Sequence, residues 1–202
     1  MDLADLLTSE DSQGFDLHND WYLKMLKDRT IVFNDECTEE ILERVVLPLL
    51  AFEKDDSDEP VTLLVQTGGG ATFPSWIVTD IIDNYSKPLI IRGMGYCLSM
   101  GFYILAAGKN NPNVIREAYP HTIGMLHNGS VNLSGESGTV KDTQKFLEKL
   151  EEIERQWLLE HTDLDEETLE KWDRKEMYLT SDELLEYNII DRLVGDTDDE
   201  EE

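Results

Sequence analysis

The chain alternates between short apolar runs and longer segments in which apolar residues recur every three or four positions. The apolar runs are typical of buried strands, and they lie at 29–33, 61–65, 89–92, 123–127 and 189–194. The segments between them have helical spacing, as at Ile77, Ile81 and Tyr85. Strands that alternate with helices form βαβ units, so the pattern predicts one α/β domain around a largely parallel sheet.

Two predicted helices have features that affect the architecture. Thr38 is a candidate N-cap for a helix of about four turns, and Pro48 inside that helix predicts a kink or break. The longest helix is predicted over 139–160 and is highly charged. Its apolar stripe comprises Phe146, Leu147, Leu150, Ile153 and Trp157.

The remaining segments are predicted to be loops, linkers or ends. Residues 93–108 predict a glycine-containing turn that enters a hydrophobic helix, and residues 109–121 predict a linker. Residues 1–20 are polar and predict an arm or loop, 21–194 the domain itself, and 195–202 a disordered acidic tail.

Composition narrows the classes of function. The chain has 202 residues, a net charge of −27 and 40% hydrophobic residues, which suffices for a core. So few basic residues argue against binding to nucleic acids or anionic membranes. Two cysteines are too few for a disulfide framework, and we expect neither a signal peptide nor a membrane-spanning run. We therefore expect a soluble, intracellular protein.

A glycine run, Gly68–Gly70, follows the second apolar run. Backbone N–H groups in such a turn have no side chain beside them, so they can serve as oxyanion-hole donors or as an anion nest. A tight turn that requires positive φ explains the run equally well. No GK[ST] sequence follows, which excludes a Walker A loop.

Ser99 stands between a predicted strand and a hydrophobic helix, with Gly101 two residues later. This arrangement is half of the G-x-S-x-G nucleophile elbow, with Cys97 in place of the first glycine. A helix N-terminus also favours a developing negative charge. The alternative is that Ser99 only caps the helix.

His127 ends the fourth apolar run, at the edge where α/β sheets build their sites. A structural histidine is the alternative. Cys97 is a second candidate nucleophile for this histidine, although its position two residues before Ser99 should point it elsewhere. His121 and His161 have no cluster of ligands at suitable spacing, so we expect no metal site.

Together, the TGGG, YCLSMG and MLHNG segments resemble the proteolytic subunit of the Clp protease (ClpP) family. The resemblance runs from about Phe15 to Val194 and includes a family-like closing segment at 179–191. It implies a ClpP/crotonase-like fold with a protruding helical handle near 139–160, and a pore loop at the N-terminus. Cys97 and Leu98 depart from the small residues usual before the serine, and TGGG lacks the usual proline.

The resemblance implies that Ser99 is the nucleophile, His127 the general base, and the N–H groups of Gly70 and Met100 the oxyanion hole. The position of the family's third catalytic residue, an Asp, is taken here by Glu176. A shift of the chain would bring Asp173 to that place instead. A third interpretation is that neither acid takes part.

The implied function is that of an ATP-independent proteolytic subunit, a serine endopeptidase without cofactor or metal. Two heptameric rings would stack through the handle into a tetradecamer, with paralogous subunits allowed. A separate AAA+ unfoldase would feed it polypeptide substrates, because the sequence has no ATP-binding motif. The expected compartment is the cytoplasm, or a plastid stroma or host cytoplasm if the gene is plastid or viral.

Two other functions fit the same features less closely. The first is a catalytically weak or inactive structural paralogue that assembles with active ClpP subunits. The second is a crotonase-like acyl-CoA enzyme, which uses similar N–H donors but does not need Ser99 and His127 at this spacing.

Overall fold

The computed structural model describes residues 17–129, 136–172 and 175–196. Its strands are β1 Thr30–Phe33, β2 Val61–Thr67, β3 Leu89–Leu98, β4 Val114–Ala118, β5 Ile123–Leu126, β6 Met177–Leu179 and β7 Arg192–Leu193. Its helices are α1 Leu17–Lys27, α2 Leu47–Lys54, α3 Thr72–Asp83, α4 Met100–Ala106, α5 Ser137–His161, α6 Glu166–Trp172 and α7 Ser181–Glu186. Within these ranges, we find no helix of the length and hydropathy that a membrane span needs.

The sheet is largely parallel, which confirms the predicted α/β class. Strands β1, β2, β3, β4 and β7 lie side by side in that order and are parallel. Strand β5 pairs in parallel with the last residues of β3, and β6 pairs antiparallel with β5. The carboxyl ends of β2, β3 and β5 therefore meet at one corner of the sheet.

Strand β3 is longer than the sequence predicts. The predicted strand stopped at residue 92 and a turn followed, but β3 continues to Leu98. Gly95 has a φ of +67°, and the register with β2 shifts between Val65 and Thr67. Such an irregularity lets a strand carry glycines and bend without ending. The predicted turn after residue 92 is therefore wrong.

Strand β4 lies inside the segment 109–121, so the prediction of a linker there is also wrong. Its residue Arg116 is buried, and Nε donates to Oδ2 of Asp191 at 3.2 Å. Nη1 of Arg116 donates to the carbonyl of Asn188 at 2.9 Å. A buried arginine with such partners interrupts the apolar run by which a buried strand is recognised.

The strand predicted over 189–194 is reduced to β7, which has two residues. The N–H groups of Ile189 and Ile190 donate to the carbonyl of Leu184, at 2.8 and 3.2 Å, near the end of α7. They therefore close the helix instead of joining the sheet.

The helix near Pro48 changes type instead of breaking, because Val46 and Leu47 at the junction both keep α-helical φ and ψ. A π-helical segment, Leu42–Val46, precedes α2, and Pro48 lies in the first turn of that helix. Proline is tolerated there because its missing N–H would have no acceptor within the helix.

Helix α1 begins at Leu17, inside the predicted arm of residues 1–20. Residues 1–16 and 197–202 lie outside the described residues, so the arm and the acidic tail stay predictions.

Helix α5 is the protruding handle that the fold class implies, and it is attached to the body near its C-terminal end. Leu158 is buried, and the ring of Trp157 packs on Tyr103 of α4 at 5.2 Å between centroids. His161 stacks on Trp157 at 3.9 Å, and its Nε2 lies 2.9 Å from Oδ2 of Asp83 at the end of α3. Farther toward the N-terminus of α5, Phe146 is 51% exposed, and its ring stacks on Phe73 of α3 at 6.5 Å between centroids.

Candidate active site

The junction between β3 and α4 places Ser99 in an unusual backbone conformation. Its φ is 52° and its ψ is −121°, a region that costs a non-glycine residue about 1–3 kcal/mol. Its N–H donates to the carbonyl of Met125 at 2.7 Å, and its carbonyl accepts from Phe102 at 2.9 Å. The side chain makes no capping hydrogen bond to α4, so the interpretation of Ser99 as only a helix cap is not supported.

The Ser99 side chain faces His127 instead. Nε2 of His127 lies 3.0 Å from Oγ of Ser99, and both side chains are half-buried. The contact follows from the sheet, because Leu98 of β3 pairs with Met125 of β5 and each functional residue comes just after its strand. An unprotonated Nε2 at this distance can take the hydroxyl proton while the oxygen attacks a carbonyl.

The glycine loop after β2 is fixed by the backbone of Cys37. The N–H of Cys37 donates to the carbonyl of Gly69 at 2.8 Å, and its carbonyl accepts from Ala71 at 2.7 Å. Gly70 lies between them with a φ of +145°, and a Cβ there would come 2.4 Å from the Cys37 carbonyl oxygen. Both facts require glycine at this position.

The same loop contacts the serine junction. A Cβ on Gly69 would lie 2.7 Å from Cβ of Ser99 and 2.9 Å from the N of Met100. Among the described residues, no hydrogen bond uses the N–H of Gly70 or of Met100. Two backbone donors at the same corner as the Ser99 hydroxyl are the elements from which an oxyanion hole is made.

Thr67 and Gly101 support this corner, and sequence reasoning gave Thr67 no role and used Gly101 only as part of the elbow pattern. The Thr67 hydroxyl donates to the carbonyl of Asp35 at 2.6 Å and accepts from the N–H of Gly69 at 3.0 Å. A Cβ on Gly101 would lie 2.5 Å from Cγ2 of Thr67. The glycine two residues after Ser99 was the available signal, since it lets α4 approach the end of β2 closely.

The structure does not bring Glu176 to His127. Glu176 is exposed, and its Oε2 accepts a hydrogen bond of 2.8 Å from the Tyr178 hydroxyl, which raises the pKa of Tyr178. Among the described residues, no carboxylate makes a hydrogen bond or ion pair with His127. Asp173 lies outside those residues. Both acids therefore stay predictions.

Comparison with known proteins agrees with this geometry. The family described as Clp protease matches residues 13–197. The chain belongs to the Clp protease family. It is 28% identical over 179 residues to the ATP-dependent Clp protease proteolytic subunit 2 of Thermobifida fusca, covering 87% of this chain and 85% of that protein. It is 26% identical over 185 residues to the ATP-dependent Clp protease proteolytic subunit 1 of Prochlorococcus marinus, covering 92% and 93%.

At 25–28% identity to such relatives, the chain is a divergent Clp protease member. Its family is one of proteolytic subunits, which favours the peptidase interpretation over the crotonase-like alternative.

The thiol alternative is removed by burial. Cys97 is fully buried, its Sγ lies 3.4 Å from the carbonyl of Val65, and burial raises the pKa of its thiol to about 12. Cys37 is buried too, and desolvation raises the pKa of its thiol. Neither cysteine of this Clp protease can supply a thiolate near His127 at neutral pH.

The other histidines lie elsewhere in this Clp protease member. His121 is exposed, and His161 belongs to the attachment of α5. In the part of the chain that the structure describes, no three His, Cys, Asp or Glu residues form a group that could hold a metal ion.

A cavity of about 940 Å³ opens beside the Ser99–His127 pair. One wall comes from the glycine loop, and the opposite wall comes from one face of α5. That face contributes Leu147, Leu150, Glu151 and Glu154. The apolar stripe predicted for α5 is therefore divided, because Leu147 and Leu150 face the cavity while Phe146 and Ile153 are exposed.

Proposed function

We propose that this chain is a serine endopeptidase subunit with Ser99 as nucleophile and His127 as general base. The observation that carries the proposal is the 3.0 Å contact between Oγ of Ser99 and Nε2 of His127, at a positive-φ junction with no competing capping bond. Family membership and the names of the relatives support a proteolytic role.

The proposed reaction begins when a peptide carbonyl occupies the cavity next to Ser99. His127 accepts the hydroxyl proton as Oγ attacks, and it then returns that proton to the leaving amine. The N–H groups of Gly70 and Met100 stabilise the oxyanion. Water releases the acyl group in a second passage through the same steps, with His127 again as base.

The third catalytic residue is proposed to be Glu176, with Asp173 as the alternative. For Glu176 to orient the His127 ring, its carboxylate has to leave the hydroxyl of Tyr178. The glutamate would then act as a positioning residue, since it would touch the histidine and not the substrate.

An inactive structural paralogue is the second candidate function. The observation that favours it is that no hydrogen bond joins Glu176 to His127. The N–H groups of Gly70 and Met100 and the contact between the Ser99 hydroxyl and His127 favour the active enzyme.

Labelling with a fluorophosphonate tests the two functions. These reagents phosphonylate a serine only when a base activates it. We expect labelling at Ser99 in the full chain and loss of labelling in Ser99→Ala, while exposed Ser137 stays unmodified. An unlabelled Ser99 in an assembled particle would contradict the peptidase and support the structural paralogue.

The assembly is proposed to be two stacked heptameric rings served by a AAA+ unfoldase on another chain, with unfolded polypeptides as substrates. Phe146 and Ile153 are 51% and 53% exposed on the handle, and burial against a second ring would remove them from water. The cytoplasm is the proposed compartment, or a stroma or host cytoplasm for a plastid or viral gene.

Sedimentation velocity tests the assembly. We expect a discrete large particle that Phe146→Ser and Ile153→Ser weaken, while Gln144→Ser on the same helix does not. The chain has 44 acidic and 17 basic residues, so its subunits repel one another. Lower salt screens this repulsion less and should therefore loosen the rings. A monomer at micromolar concentration would contradict the proposal.

A further inference from the structure

Three charged side chains lie side by side on one face of the sheet. Arg92 of β3 is in register with Glu117 of β4, and Glu117 is in register with Arg192 of β7. Nε of Arg192 donates to Oε2 of Glu117 at 2.9 Å, and Nε of Arg92 donates to Oε1. Glu117 is only 2% exposed. One buried carboxylate therefore orients two guanidinium groups.

The outer edges of these two guanidinium groups have no acceptor among the described residues. The side chains of Arg92 and Arg192 are 28% and 39% exposed, and Glu117 is the one acceptor that either of them contacts within the described ranges. Each Nη edge presents parallel N–H donors whose geometry matches a carboxylate. Two positive charges here share one negative charge, and their outward donors are unused.

A second carboxylate shared by two cations shows the difference. Asp55 pairs with Arg29 and with Lys87. Nζ of Lys87 also donates to the backbone carbonyls of Asp55 and Ser57, and Nε of Arg29 donates to another backbone carbonyl. Nη2 of Arg29 has no hydrogen-bond partner among the described residues, but it is buried and out of a ligand's reach. Only the arginines beside Glu117 thus combine unused donors with exposure in this comparison.

The chain turns back directly after β7. The N–H of Asp196 donates to the carbonyl of Leu193 at 3.2 Å, and Gly195 has the positive φ, +99°, that a type II turn requires. The residues after Asp196, which lie outside the described ranges, therefore start back toward Arg192. At about 3.3 Å per extended residue, the segment 197–202 can span about 20 Å, whereas Arg92 and Arg192 are on strands about 10 Å apart.

Charge favours this segment as the occupant of the site. Residues 197–202 read TDDEEE, which is five acids in six residues. With 44 acidic and 17 basic residues in the chain, most of the surface should repel such a segment. The two arginines are an exception. A short tether also gives the segment an effective concentration of about a millimolar or more at the site, so contacts that are individually weak suffice.

We propose that the acidic segment 197–202 binds the Nη groups of Arg92 and Arg192. The bound segment would change a positive patch into a negative one, on the sheet face where Leu64 is half-buried and Ile115 is 38% exposed. The inference does not depend on the proposed peptidase function, because no residue of the Ser99 site takes part.

A nitroxide spin label at position 200 measures this binding in the full, assembled chain. Glu200→Cys supplies the thiol, while Cys37 and Cys97 are buried and stay unlabelled. The electron paramagnetic resonance spectrum separates a slow component, from a bound segment, from a fast component. We expect a slow component at about 0.1 M NaCl, and a slow-to-fast ratio about tenfold lower at about 1 M, because salt screens exposed ion pairs.

Variants of the arginines give the second measurement. Arg92→Gln and Arg192→Gln should each lower the slow-to-fast ratio by about threefold, as the loss of an exposed ion pair predicts. Arg44→Gln is the matched control. The Arg44 side chain is 41% exposed, and it already has two carboxylates of its own, those of Asp35 and Glu40.

A segment without charge gives the third measurement and leaves both arginines intact. It combines four substitutions in the labelled chain, and we expect it to lose the slow component: Asp198→Asn, Asp199→Asn, Glu201→Gln and Glu202→Gln.

Three outcomes would overturn the proposal. The first is a labelled chain with only the fast component, because the segment then does not bind. The second is a slow component that persists in the uncharged segment, since its acids would then play no part. The third is an equal loss in Arg44→Gln and Arg192→Gln, because general charge would then explain the effect. None of these outcomes bears on Ser99, whose labelling by a fluorophosphonate is a separate test.

Discussion

The serine side and the acid side of the candidate active site are held in different ways. Ser99 is fixed by backbone hydrogen bonds to Met125 and Phe102 and by the close approach of Gly69. Glu176 is exposed, and among the described residues its carboxylate has one hydrogen bond, from the hydroxyl of Tyr178 two residues farther along the chain. The nucleophile therefore occupies one geometry, while the acid can change its partner at little cost.

This difference indicates where the chain tolerates substitution. A rigid corner responds to any added atom, because its neighbours are backbone groups that cannot move aside. Substitution of an exposed carboxylate acts mainly by changing its charge and the length of its side chain. Substitutions at the serine side should therefore have the largest effects, and those at and beyond Glu176 the smallest.

Ser99→Ala should reduce peptide hydrolysis to background, because no other described residue offers an activated oxygen to His127. The loss in subtilisin for its serine is about 10⁶-fold, and we expect a comparable order here. Fluorogenic peptide hydrolysis measures the rate, and sedimentation velocity checks that assembly is unchanged. Ser137→Ala, at an exposed position of α5, is the control. Full activity of Ser99→Ala would show that the rigid corner is not catalytic.

Gly70→Ala should lower hydrolysis by about 10²-fold or more, since its Cβ would come 2.4 Å from the Cys37 carbonyl and displace the proposed N–H donor. The free energy of unfolding should also fall, by about 1–3 kcal/mol. Gly68→Ala is the matched control, because nothing lies within 4 Å of its Cβ. Kinetics and urea unfolding give both numbers, and equal behaviour of the two variants would contradict a rigid glycine loop.

Glu176→Gln should lower the hydrolysis rate by about tenfold, well short of the roughly 10⁴-fold loss known for a triad aspartate. The smaller effect follows from the exposed carboxylate and its bond to Tyr178. Tyr178→Phe removes that bond and should preserve or raise the rate.

Asp173→Asn serves as the comparison for Glu176. We expect the rate of Asp173→Asn to stay near wild type in the same peptide assay. If Asp173→Asn loses activity while Glu176→Gln keeps it, Asp173 is the positioning acid. If neither matters, Ser99 and His127 work as a dyad.

The smallest effect concerns the helix directly after the acid segment. Thr180 and Glu183 form a capping box at the start of α7, so Thr180→Ala should lower the free energy of unfolding by about 1 kcal/mol. The backbone and side chain of Thr180 donate to Glu183 and lower its pKa. This stabilisation is present above the unfolded pKa of Glu and is lost as pH falls through the lower folded pKa.

Urea unfolding of Thr180→Ala and wild type at neutral pH and near pH 3 measures both parts. Asp182→Asn, an exposed acid in the same turn, is the control. A difference between Thr180→Ala and wild type that does not shrink at low pH would contradict a charged cap. If Thr180→Ala behaves as expected, α7 is firmly capped, and the weakly held region is limited to Glu176 and its surroundings.

Strands and candidate site residues that one clear sequence signal marks were predicted from the sequence. The apolar runs located β2 and β5, and the motifs identified Ser99 and His127, to which the resemblance gave the roles of nucleophile and general base. The structure places these two side chains in contact, although their catalytic roles stay predictions.

Features that combine opposing signals were missed. The buried charge of Arg116 hid β4, and the glycines of β3 were interpreted as a turn. Sequence reasoning also gave Glu154 no role, because one carboxylate on a highly charged helix carries no distinguishing signal, yet Glu154 lines the cavity beside Ser99.

The attachment of α5 is tighter near its C-terminal end, where Leu158 is buried, than at Phe146, whose exposed ring stacks on Phe73. This difference has a mechanical consequence, because a beam that is clamped firmly at one end and loosely elsewhere is displaced least beside the clamp. At 1.5 Å of rise per residue, Glu154 lies about 6 Å from the clamp at Leu158, and Phe146 lies about 18 Å from it. Bending of the helix would therefore displace Phe146 and its contact with Phe73 more than it displaces Glu154. The part of the cavity wall that Glu154 forms would move least, so the firm end of α5 also keeps one side of the cavity in place.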